Sequence, residues 1–97
     1  MNIDGKWMKI SEDKCAERYP QAIEFKQVAE RGYIIASSLS NSSFHPVWDE
    51  GGTFYFENDQ IVISDYKDAK NRYSVGWDRG TIQFLSKDGC TITYKKM

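Results

Sequence analysis

The sequence predicts an all-β fold: an eight-stranded antiparallel up-and-down barrel with a short helical turn in the first loop. Three observations predict it. Runs of alternating apolar and polar residues recur along nearly the whole 97-residue chain, and a period of two marks half-buried strands. Aromatic residues make up 14% of the chain against only two prolines, a balance suited to pleated surfaces. The breaks between runs alternate between tight turns and longer connections. Eight strands close a barrel whose interior is just filled by side chains or holds one small ligand, and closure removes the exposed edges of an open sheet.

Residues 5–10 read as the first strand. The polar stretch 11–20 follows, with Ser11 able to cap a helical turn and Pro20 ending it, because proline disfavours helix at Tyr19. Residues 22–28 place Ile23 and Phe25 on one face, Glu24 and Lys26 on the other. A turn at Glu30-Arg31-Gly32 leads to the third strand, 32–38. The irregular stretch 39–47 precedes a fourth strand at 48–57, in which Gly51-Gly52 marks a bulge or bend. Asn58-Asp59 is a hairpin dipeptide, since both residues tolerate left-handed backbone. The fifth strand is 60–65, and the polar stretch 66–70 leads to a sixth at 71–77, with Tyr73, Val75 and Trp77 on one face. Asp78-Arg79-Gly80 turns the chain into 81–86, where Ile82 and Phe84 share a face. Lys87-Asp88-Gly89 turns it again into 90–96, which begins at Cys90 and carries Ile92 and Tyr94 on one face.

One domain, 1–97, is expected at this length. Thirteen basic residues against fourteen acidic ones leave a net charge of −1, which argues against nucleic acid as a partner. The N-terminus has neither the basic nor the apolar region of a signal peptide, and no stretch is apolar enough to span a membrane. A soluble, cytoplasmic protein is the expectation.

In an up-and-down meander, alternate connections lie at opposite ends. The tight turns at 30–31, 58–59 and 78–79 share one end; the connections at 11–21, 39–47, 66–70 and 87–89 share the other. Function concentrates on loops held by a rigid scaffold, and barrel mouths are common ligand sites. The loop-bearing end is therefore the predicted site. Cys15 follows the first strand and Cys90 begins the last, so closure of the barrel brings the two toward each other there. They form either a disulfide, stabilising by about 4 kcal/mol in the chain-entropy account, or two reduced thiols, as is usual in the cytosol.

His45 is the only histidine. Its surroundings match no zinc-ligand spacing, and no nucleophile sits in a recognisable elbow. No metal, no cofactor and no enzymatic activity are expected. The strand-borne aromatics Phe25, Tyr33, Phe54, Phe56, Tyr73, Trp77, Phe84 and Tyr94 are read mainly as barrel filling. A shallow pocket at the mouth is left to Tyr19, Phe44, Trp48 and Tyr66.

Gly5-Lys6-Trp7 resembles the Gly-x-Trp signature of the lipocalins and the wider calycin group. The resemblance implies that Gly5 and Trp7 form the closed barrel bottom. It also implies that Lys95 or Lys96, where the family usually has Arg, packs over the indole. Cys15 to Pro20, Ile23-Glu24-Phe25, Val47-Trp48-Asp49, Asp88-Gly89-Cys90 and Tyr94-Lys95-Lys96 together are similar to small bacterial lipocalin-like proteins of unknown function. On this reading the chain is a binding module for a small apolar or amphipathic ligand. The alternative is a protein partner engaged by the mouth loops, as in the bacterial metalloprotease inhibitors, which share the barrel but act through an N-terminal extension longer than Met1 to Asp4.

Overall fold

The computed structural model describes residues 2–38, 48, 51–65 and 70–97. Eight strands form a closed antiparallel barrel in simple sequential order, and the last pairs with the first. They are β1 (Gly5–Lys9), β2 (Ala22–Val28), β3 (Arg31–Ser38), β4 (Gly52–Glu57), β5 (Gln60–Asp65), β6 (Lys70–Asp78), β7 (Thr81–Ser86) and β8 (Thr91–Lys96). A single 3-10 turn, Lys14–Arg18, lies in the first loop. Closure rests on the pairing of Trp7 with Lys96 and of Lys9 with Tyr94.

Alternation along the strands sorts side chains to the two faces. Inward positions such as Ile23, Phe25, Ile34, Phe54, Ile61, Ile63, Tyr73, Ile82, Phe84, Ile92 and Tyr94 are buried. No buried residue among those described is charged. Edge-on aromatic contacts fill the interior: Phe25 meets Phe54 at 5.3 Å between ring centroids and Phe84 meets Tyr94 at 5.9 Å. Full burial of a large apolar side chain contributes roughly 1.5–3 kcal/mol, and here that stabilisation is concentrated in one filled cylinder.

The tight-turned end is sealed by more than Trp7. Ile3 is fully buried beneath the barrel. Its carbonyl accepts a bond from Trp7 Nε1 at 2.9 Å, and its amide donates to Gln27 Oε1 at 2.7 Å. Lys96 Nζ lies 5.0 Å from the Trp7 ring centroid and also donates to the Asp4 carbonyl. Gly5 has φ +121°, and a Cβ there would collide with Lys96 Nζ. Glycine at this position thus lets the cation lie across the indole.

Several boundaries differ from the sequence reading. The fourth strand starts at Gly52, because Trp48 and Gly51 both adopt left-handed backbone, with φ +58° and +92°. The Gly51 amide closes that turn on the Trp48 carbonyl at 2.9 Å. Ser11 does not cap the 3-10 turn, which begins three residues later; its hydroxyl accepts from the Thr93 amide at 2.5 Å. The β2–β3 turn falls on Ala29 and Glu30, where Ala29 takes φ +61°. Cys90 precedes β8 rather than starting it. Tyr33 points outward and is exposed, and Trp77, at the foot of the barrel, is 42% exposed.

Candidate functional site

The first loop folds down across the mouth as a plug. Ala16 and Tyr19 are buried, with Tyr19 7% exposed. Three ties hold the plug in place. Lys9 Nζ, at the end of β1, donates to the Ala16 carbonyl at 2.7 Å and to the Tyr19 carbonyl at 2.9 Å. The Tyr94 hydroxyl donates to the Pro20 carbonyl at 2.8 Å. Cys15 and Cys90 are joined by a disulfide, 6.0 Å between Cα atoms, that staples the plug to the β7–β8 turn. That turn is itself fixed by the Ser86 hydroxyl, which accepts from the Cys90 amide at 3.0 Å.

Beneath the plug sits an aromatic cluster. Tyr19 meets Trp48 at 5.0 Å between ring centroids, and Trp48 meets Tyr73 at 5.5 Å and Phe84 at 5.6 Å. The Tyr19 and Tyr73 hydroxyls are 3.1 Å apart. Trp48 is fully buried, and among the described residues its Nε1 has no hydrogen-bond partner. Burial pushes the Tyr19 hydroxyl above the ordinary phenol range and the Tyr73 and Tyr94 hydroxyls well above it, so all three are neutral at physiological pH. Burial pulls the Lys9 ammonium down, with Glu17 opposing it.

The structure therefore brings Tyr19 and Trp48 together, but as barrel filling rather than as rings offered to solvent. The left-handed turn at Trp48 swings its indole inward, where the eight-stranded interior has room for it. Phe44, Tyr66 and His45 lie outside the described residues. Gly5 and Trp7 sit at the opposite end from Cys15, Cys90, Tyr19 and Trp48. Among the described residues no group of three or more His, Cys, Asp or Glu side chains gathers as metal ligands, and no helix is long and apolar enough to cross a membrane.

Among the described residues, the rim opens sideways beside β6. β6 pairs with β5 from Lys70 onward, but its pairing with β7 begins only at Tyr73 and Ser86. The resulting splay opens into a cleft of about 760 Å³ running from the plug down the outer face of β5, β6 and β7. Its upper wall comes from Arg18, Tyr19, Lys70, Tyr73, Lys87 and Asp88. Farther down, Tyr55, Val62 and Leu85 line it beside Gln60, Arg72 and Ser74. Val62 faces outward yet is only 2% exposed, because its cross-strand neighbours Tyr55 and Arg72 flank it. Arg72 bonds Gln60 Oε1 at 3.3 Å and pairs with Glu57 at 3.7 Å. The cleft thus sets limited apolar surface, chiefly Tyr55 and Leu85, among polar and cationic side chains.

Sequence reasoning missed Ile3, because residues 2–4 show no periodicity. It missed Lys9 as the plug's anchor for a different reason: a lysine at a strand end reads as solvated. It missed the cleft because that depends on where the pairing of β6 with β7 starts. Comparisons with known protein families, with curated proteins and with solved structures find no match to this chain.

Proposed function

We propose that this protein is a non-enzymatic binding module of lipocalin-like design, which holds a small amphipathic ligand at the loop-bearing rim. The observation that carries the reading is the cleft beside β6 and β7, where the half-exposed Leu85 and the ring of Tyr55 supply apolar surface among polar and cationic side chains. A ligand of mixed polarity matches both kinds of surface, in keeping with the general make-up of small-molecule sites. The filled interior favours the rim over a deep calyx. The Gly5–Trp7–Lys96 closure and the plug across the mouth support the lipocalin-like comparison.

Titration with 1-anilinonaphthalene-8-sulfonate tests the reading. One saturable site is expected on the native protein. Leu85→Glu, at a position 45% exposed, is expected to weaken it with little change in melting temperature. Absence of saturable binding, or binding indifferent to Leu85→Glu, contradicts it.

A further inference from the structure

The Cys15–Cys90 disulfide ties together two segments that frame the rim cleft. One is the plug, whose Arg18 and Tyr19 line the cleft; the other is the β7–β8 connection, whose Lys87 and Asp88 line it too. Cys15 stands just ahead of the first pair and Cys90 just after the second. The bond therefore limits how far these two parts of the wall can separate.

Little regular structure holds the plug otherwise. Among the described elements, its 3-10 turn packs only against β8, and Asp13 supplies no side-chain cap. The ties from Lys9 and Tyr94 end on backbone carbonyls of Ala16, Tyr19 and Pro20. The disulfide is the plug's one covalent tie outside the backbone. That tie is also within reach of a thiol. Cys15 is exposed, whereas Cys90 is half-buried and packs against the core. Access and the choice of sulfur attacked govern thiol–disulfide exchange, so attack falls on Cys15.

We propose that the Cys15–Cys90 bond is a redox latch on the rim cleft: a dithiol reductant cleaves it, the plug parts from the β7–β8 connection, and affinity for the cleft's ligand falls. This rests on the binding reading above and names the regulation of that site. A thiolate of the reductant attacks the Cys15 sulfur. A mixed disulfide forms on Cys15, the Cys15–Cys90 bond breaks, and Cys90 leaves as a thiolate that takes up a proton. The reductant's second thiolate then displaces Cys15, which is protonated in turn, and closes the reductant's own disulfide. Two electrons pass to the protein, which ends with two thiols, and the dithiol is oxidised. The barrel stays closed, because closure rests on the pairing of β1 with β8. The plug loses its loop-closure constraint, and apparent affinity falls with the fraction of molecules whose cleft remains assembled. By linkage, bound ligand holds the disulfide against reduction by the same factor.

Titration of the native protein with 1-anilinonaphthalene-8-sulfonate before and after dithiothreitol treatment tests this, with free thiols counted in parallel. Both cysteines are expected to titrate without denaturant, the dissociation constant to rise roughly threefold or more, and reoxidation to restore it. The double variant Cys15→Ser, Cys90→Ser should match the reduced protein and ignore dithiothreitol. Amide exchange on the ligand-free protein separates latch from barrel: on reduction, Ala16 and Tyr19 should accelerate more than Ile23 and Phe84. Equal acceleration at all four overturns the latch, and so do thiols that appear only in urea. Saturable binding that reduction leaves unchanged also overturns it, while the binding reading stands. Absence of saturable binding by the oxidised protein overturns the binding reading and the gating with it.

Discussion

Trp48 is the residue on which the upper half of the barrel depends. It is fully buried and touches Tyr19, Tyr73, Phe84 and Tyr94. Trp48→Ala should cost about 3–5 kcal/mol, in the range for deletion of a large core aromatic, read as a lowered urea midpoint. Trp48→Phe should cost clearly less, since it keeps most of the ring contact and deletes an indole N–H that has no bond to lose. Equal losses from the two would mean that the indole N–H is satisfied in solution. Gly51→Ala is a second test at this scale: φ is +92° and a Cβ would strike the Ile34 carbonyl. A loss well above the roughly 1 kcal/mol of an ordinary glycine substitution is expected. The sequence marks Gly51-Gly52 as a bend, yet nothing local in it says that the bend would carry Trp48 inward, because that depends on the space left by Phe84 and Tyr94 on distant strands.

At the scale of elements, the first loop behaves as a strap pinned at three points: Lys9, Tyr94 and the Cys15–Cys90 disulfide. Replacing both cysteines with serine should lower stability by about 2–4 kcal/mol. The effect should not be uniform. Amide exchange at Ala16 and Tyr19, whose N–H groups bond within the loop, should accelerate more than exchange at Ile23 or Phe84 in the strands, because local opening samples the least anchored unit first. Uniform acceleration would show that the strap opens only when the barrel does. The strands and the alternation of tight and long connections are legible in the sequence because period-two patterning and hairpin dipeptides are local signals. The closeness of Cys15 and Cys90 follows from counting strands once closure is assumed. The Lys9 anchor and the β6–β7 splay are not legible, since each is a matter of register between segments far apart in the chain.

For the whole molecule, the filled interior predicts a characteristic response to alkali. Tyr19, Tyr73 and Tyr94 have hydroxyls raised above their ordinary 10.0 by burial. Above that pH the unfolded chain gives up phenolic protons that the fold retains, so folding stability falls as pH rises. Each tyrosine contributes a slope of about 1.4 kcal/mol per pH unit. Lys9 is lowered, and acts in the opposite sense only up to its ordinary 10.5. Urea midpoints should hold steady from neutrality to about pH 10 and then drop steeply, with a shallower drop in Tyr94→Phe. A midpoint that stays flat to pH 11.5 would mean that the tyrosines are hydrated.

Buried side chains fill the interior, so the proposed ligand is expected in the rim cleft rather than inside the barrel. Titration of the isotope-labelled protein with octanoate, followed through backbone amide shifts, tests it directly. The account predicts that shifts concentrate at Tyr19, at 70–74 on β6 and at 85–88 around the end of β7, while Ile23, Phe25 and Phe54 stay still. Shifts centred on Phe25, Phe54 and Trp7 would place the ligand within the barrel and contradict it.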